Sequence, residues 1–153
     1  MREIQFRAKA LKEKRWVYGD LLHAGTDPSD GEWEIMYWDD ESGWMQERVD
    51  PATIGQFTGC LDKYGNRVWE GDIVDAWSAG SHTDHGLIKC DAVGGFFILL
   101  SGERGPQGHW NLAPSQYDRK DESLLVVGNR YDSPERVRGY IEWEKQQNKG
   151  EPQ

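Results

Sequence analysis

The chain has 153 residues and a formal net charge of −9, from 18 Lys and Arg against 27 Asp and Glu. That length supports one domain or two small lobes, and the acidic balance argues against direct nucleic-acid binding, which is driven by Lys and Arg releasing phosphate counterions. Leu, Ile, Val and Phe number only 29, but eight Trp, six Tyr and four Phe supply rings that each remove roughly 150–250 Å² from water, so composition excludes a disordered chain and points to a core built on rings.

From the start, Met1-Arg2-Glu3-Ile4-Gln5-Phe6-Arg7 lacks the apolar stretch of a signal peptide. Ile4, Phe6 and Ala8 alternate with Gln5 and Arg7, the period of a half-buried strand. Trp16 to Leu22 reads as a second strand. Trp33 to Trp38 is a third, with Trp33, Ile35 and Tyr37 on one face, and Asp39-Asp40-Glu41-Ser42-Gly43 turns it back through Trp44 to Val49. Asp50-Pro51 then breaks the sheet. Gln56 to Gly59 is short and extended, Asp62 to Asn66 a turn, and Glu70-Gly71-Asp72 a tight corner before a strand at Ile73–Trp77. Residues 78–84 read as a polar loop. Leu87–Cys90 and Phe96–Leu100 flank Gly94-Gly95 as a hairpin, and Gly102, Gly105, Pro106 and Gly108 mark a loop. Leu124–Val127 is the last strand. Ser133 as cap and Pro134 in the first turn open one helix, with Val137, Tyr140 and Ile141 sharing its apolar face.

The expected architecture is mainly β. A small antiparallel SH3-like barrel over 59–131 packs with an N-terminal antiparallel β layer over 1–58, followed by a helix over 132–147 and a disordered tail over 148–153. The longest apolar run, Phe96 to Leu100, is far below the roughly 18 residues of a membrane span. Two cysteines, Cys60 and Cys90, cannot form a disulfide framework, which suits a reducing cytoplasm.

Charge is unevenly spread: residues 1–15 sum to +4 (six basic, two acidic) and residues 26–50 to −8 (one basic, nine acidic). A basic strip next to an acidic one invites pairing within the chain or between subunits. The acidic run also motivates a second idea, a decoy that imitates nucleic acid and occupies a basic host protein. A third is a small-molecule or nucleotide binder with its pocket between the N-terminal layer and the barrel.

Catalytic and metal constellations are weak. His82, His85 and Cys90, with distant Cys60, offer zinc-type donors but no compact ligand spacing. Asp39 to Gly43 is too short and misplaces its glycine for a calcium loop. Ala76-Trp77-Ser78-Ala79-Gly80 imitates a nucleophile elbow, yet no parallel strand–helix alternation surrounds it. Gly102, Gly105 and Gly108 lack the Gly-Lys-Ser/Thr of a phosphate loop. The reading is therefore a protein that is not an enzyme and carries no cofactor. The tryptophans, Trp38 and Trp44 around one turn and Trp69 and Trp77 around another, read mostly as core, with an interface role as the alternative.

Four segments carry a family resemblance: Arg2 to Ala8; Val17-Tyr18-Gly19-Asp20-Leu21; Val49 to Gly59 continuing through Asp62–Asn66 to Trp69–Val74; and Val127 to Glu135. In order and spacing the chain resembles the YopX family of small phage- and prophage-encoded proteins. Cys60 stands where an aliphatic is usual, and 78–84 and 101–122 are individual to this chain. The resemblance implies phage or prophage origin, a β-rich fold, self-association and no known catalytic activity. Among the shared residues, Gln56, Phe57, Thr58, Glu70, Asp72 and Asn129 are the candidate interaction residues. The polar members among them sit at or beside glycine corners, where bonds to turn amides are the competing role.

Overall fold

A computed structural model describes residues 3–27, 29, 31–78, 80–102, 105–112 and 123–149. The chain divides into two compact units, residues 1–57 and 58–153.

The first unit is an antiparallel meander of β1 (Phe6–Lys9), β2 (Trp16–His23), β3 (Trp33–Asp39) and β4 (Gly43–Val49). The first residues of β5 (Gly55–Leu61) pair with β1, Phe6 opposite Gln56 and Arg7 opposite Gly55. The sheet curls. Ala10 bridges Val49, the Leu11 amide donates to the Arg48 carbonyl at 3.0 Å, and the Asp50 amide donates to the Lys9 carbonyl at 2.9 Å. Strand alternation sends Ala8, Ala10, Val17, Ile35 and Val49 inside, with Phe6, Leu21, Trp33, Tyr37 and Ile54 packed against them. Asp50 caps a 3-10 turn at Pro51–Thr53 by accepting from the Ala52 amide.

In the second unit, β6 (Arg67–Trp69) is hydrogen-bonded to β5. A five-stranded antiparallel sheet follows in the order β10-β9-β8-β7-β11, with β7 at Asp72–Ser78, β8 at Ser81–Cys90, β9 at Phe96–Gly102, β10 at Gly105–Asn111 and β11 at Leu124–Asn129. Alternating residues serve two apolar layers. Val74, Ala76, Ile88 and Ile98 join Cys60, Val68 and Leu124 in one. Ile73 and Leu87 meet Val137 and Tyr140 in the other. Tyr140 lies on α1 (Arg138–Lys149), which follows a 3-10 turn at Pro134–Val137.

The mainly β class with one C-terminal helix is what the chain adopts. The SH3-like barrel does not close: among the described residues β10 and β11 remain the sheet edges. Helical residues cover one face, so that face needs no wrapped sheet to bury it. The polar loop expected over 78–84 is largely strand, and the loop through Gly105 and Gly108 is β10, bulged between Pro106 and Gly108. Ser133 makes no side-chain cap bond, because the chain enters the helix through the 3-10 turn. Residues 148 and 149, expected in the tail, are helical, and 150–153 lie outside the described residues. None of the described helices is long and apolar enough to cross a membrane.

The ring-built core is also corrected. The largest fully buried side chains include Ile35, Ile73, Leu87, Ile88 and Leu124, and none is aromatic. Phe57, Trp69, Phe96 and Tyr140 are buried, whereas Trp38, Trp44 and Trp77 are exposed. Indole is bulky and carries an N–H that needs a partner, so full burial is uncommon for it.

Candidate functional site

The sequence candidates separate into two places. Gln56, Phe57 and Thr58 lie along β5. Gln56 is half-buried opposite Phe6. The amide of buried Phe57 donates to the Gln5 carbonyl at 2.8 Å. Thr58 is fully buried; its hydroxyl donates to the Val68 carbonyl at 2.7 Å and accepts from the Cys60 amide at 3.2 Å. This threonine ties β5 to β6.

Glu70, Asp72 and Asn129 come together at one corner of the second unit. Gly71 makes the tight turn possible, at φ +89°, a region glycine enters without steric cost. The Trp69 amide donates to the Asp72 carboxylate at 2.8 Å. Asp72 faces Asn129 across the β7–β11 ladder. The Asn129 side-chain oxygen accepts from the Tyr131 and Asp132 amides at 3.0 and 2.9 Å. The corners then lock, the Gly71 amide donating to Ile88 and the Arg130 amide to Gly71, both at 2.9 Å. Asp72 and Asn129 thus serve the backbone of their own turns.

Glu70 differs. It borders a depression of about 150 Å³ together with Lys89, Cys90, Arg130 and Tyr131. Burial pushes its carboxyl pKa up, only partly offset by Lys89. Beside it Arg130 donates to Glu144 at 2.5 Å, Lys89 lies 3.7 Å from the same carboxylate, and the Tyr140 hydroxyl donates to it at 3.2 Å. Burial opposes charge on both Arg130 and Glu144, but their mutual hydrogen bond outweighs it. Arg130 is held above its ordinary value and Glu144 below. The cations are thus committed to Glu144, and the depression falls below the roughly 300–1,000 Å³ of ligand pockets. Glu70→Gln should raise the melting temperature slightly at pH 7, since ionised Glu70 opposes folding above its raised pKa. The gain should vanish in melts near pH 3, where the wild-type group is neutral in both states.

The zinc-type donors are scattered. Cys60 sits in an apolar layer and Cys90 beside the depression. His82 stacks on Trp77 with centroids 4.8 Å apart, and the His85 amide donates to Asp75. Among the described residues, no group of three His, Cys, Asp or Glu side chains is placed to hold a metal ion.

The most exposed grouping of rings lies in the first unit. Trp38 and Trp44 are direct cross-strand partners beside the β3–β4 turn, edge to face at 5.4 Å, and 58% and 64% exposed. On β2, Tyr18 is 45% exposed. At the tip Asp39 accepts from the Glu41 and Ser42 amides, which lowers its pKa. Among the described residues no cation lies within ion-pair reach of Asp39, Asp40 or Glu41. The basic strip does pair within the chain at Arg15, which bonds both Glu13 and Glu47. A second depression, about 440 Å³, lies between the β1–β2 turn and β4, lined in part by Leu11, Lys12 and Arg48. The ring face was legible from parity: if Trp33, Ile35 and Tyr37 point inward, Trp38 points out. The Lys89–Arg130–Glu144 cluster joins positions remote in sequence and leaves no local signal.

Comparison with known proteins gives three findings. The model of the YopX family, described as YopX protein, matches residues 5–138. No curated protein matches the chain. The crystal structure of protein EF1440 from Enterococcus faecalis is similar at a TM-score of 0.42 and 17% identity, covering 90% of this chain and 99% of its own; a likeness that slight carries no argument.

Proposed function

The chain belongs to the YopX family, and from that premise we propose that it is a phage- or prophage-encoded, non-catalytic binding module that assembles with copies of itself in the bacterial cytoplasm. One observation carries this reading: Trp38 and Trp44 stand exposed side by side beside the β3–β4 turn of the first unit. Interfaces are enriched in Trp and Tyr anchors, whose truncation typically costs about 2 kcal/mol or more. Clustered exposed apolar surface is uncommon on a protein that stays alone. Asp72, Lys89, Arg130 and Glu144 in the second unit support the same reading, because a turn and ion pairs occupy them.

Light scattering at tens of micromolar tests this. The wild-type chain should exceed one chain's mass. Trp38→Ala with Trp44→Ala should weaken association about 30-fold or more while leaving the circular-dichroism spectrum unchanged. A clean wild-type monomer overturns the reading.

The three tip carboxylates favour a second reading, the acidic decoy for a basic host protein. Titration against a basic nucleic-acid-binding protein in rising salt decides it. Binding should weaken as screening increases; salt-insensitive binding, or none, removes it.

A further inference from the structure

We propose that the Trp38–Trp44 corner of the first unit binds guanidinium groups, taking arginine side chains from a basic segment of another protein. This rests on the basic-partner reading of the tip and deepens it by naming the side chain that the tip selects. The two indoles meet nearly at right angles, with 81° between their planes. Edge-to-face packing covers at most one of their four ring faces, and each ring is more than half exposed. A cation drawn by a ring quadrupole sits over such a face, and indole attracts it more strongly than the other aromatic side chains do.

Carboxylates supply the second half of the recognition. Asp39, Asp40 and Glu41 each lie within three residues of an indole along the chain, with no cation in ion-pair reach among the described residues. Asp39 accepts from the Glu41 and Ser42 amides, and the exposed Asp40 and Glu41 side chains remain to face a ligand. The rest of the unit does not balance this charge. Residues 1–57 hold seven basic and twelve acidic groups, a net charge of −5. Arg15 already faces Glu13 and Glu47, and Arg48 faces Glu32 and Glu34. That sum selects a basic occupant: it repels nucleic acid and gives a second copy no electrostatic gain. Between the two long basic side chains, the rings favour arginine. A guanidinium is planar and weakly hydrated, so it can lie on an indole face while its N–H fork reaches a carboxylate, whereas an ammonium is a compact, strongly hydrated point charge. One pair of indoles cannot serve two contacts, so an arginine-rich partner and self-association through this tip exclude each other.

Hexa-arginine and hexa-lysine, each labelled with fluorescein, carry the same number of basic side chains and separate ring recognition from simple attraction. By fluorescence anisotropy the wild-type chain should bind hexa-arginine at least about fivefold more tightly than hexa-lysine. Trp38→Leu with Trp44→Leu keeps apolar surface but removes the π faces. It should abolish the arginine preference and change hexa-lysine binding by no more than about twofold. Asp40→Asn with Glu41→Gln should weaken both peptides. Glu135→Gln with Glu142→Gln removes the same charge from the second unit, and in about 0.1 M salt, where screening acts over about 10 Å, it should leave both peptides bound as before. All six positions are exposed, so folding should persist by circular dichroism.

Four results overturn the inference: neither peptide binding, equal binding of the two, an arginine preference that survives loss of both indoles, or equal weakening by the second-unit pair. In each of these cases the basic-partner reading stands if a basic nucleic-acid-binding protein still binds and releases as salt rises. If that protein does not bind either, both fall.

Discussion

Asp62→Asn should lower the stability of the second unit by about 3 kcal/mol. Asp62 is fully buried. One of its carboxylate oxygens accepts from the Tyr64 and Asn66 amides, each at 2.9 Å, and the other from the Asn66 side chain at 3.2 Å and the Val126 amide at 3.1 Å. This single side chain closes the β5–β6 turn and fastens it to β11. Asparagine keeps one acceptor but turns an NH2 toward the Val126 and Asn66 donors, or toward the turn amides if it flips. Either way buried donors lose their partner, and each such loss costs roughly 1–3 kcal/mol. Urea unfolding at pH 7 measures the difference.

The same group gives acid sensitivity. Burial pushes the Asp62 pKa up, and the hydrogen bonds from Val126, Asn66 and Tyr64 outweigh that and leave it below its ordinary value. The stabilisation is then full above the unfolded value of about 3.9 and is lost as pH falls through the lower folded value. The gap between wild type and Asp62→Asn should therefore narrow as pH drops below about 4. A constant gap down to pH 2 would contradict the role given to the carboxylate.

Gly19→Ala should be comparably severe in the first unit, at about 3 kcal/mol or more. A Cβ at this position would come within 2.9 Å of the Met36 carbonyl carbon, and closer still to its oxygen. Backbone cannot swing aside as a long side chain can. Gly19 also faces Phe6 across β1–β2, so β2 is held on both sides and cannot shift to relieve the clash. Thermal unfolding followed by tryptophan fluorescence should show a lower and broader transition for the variant. A melting temperature within about 2 °C of wild type would mean that β2 and β3 separate more easily than their ladder implies.

Strands with strict alternation were legible in the sequence because one face is apolar and the other is not. Trp33, Ile35 and Tyr37 show this, as do Val137, Tyr140 and Ile141 at helical spacing. The polar start of β8 was not legible. Ser81 to His85 contains no aliphatic residue, and its pairing with β7 is imposed by the strand it faces. Likewise β10 contains Gly105, Pro106 and Gly108, which locally favour a turn, and the ladder with β9 overrides them through a bulge. The rings misled because their number suggested burial, whereas strand parity already placed Trp38 outside. Of the candidate residues, Asp72 and Asn129 could be located from their glycine corners. Asp62 was seen only as part of a turn, since its bond to Val126 spans 64 residues.

That span bears on how a ribosome delivers the chain. At about 5–20 residues per second, the amide that latches Asp62 is synthesised roughly 3–13 s after the carboxylate. The hairpins of the first unit need only near neighbours and can set while translation continues. The second unit must wait, with β7 lacking its β11 neighbour, until residues beyond 124 leave the exit tunnel. Nascent chains stalled at successive lengths should acquire protease resistance in that order.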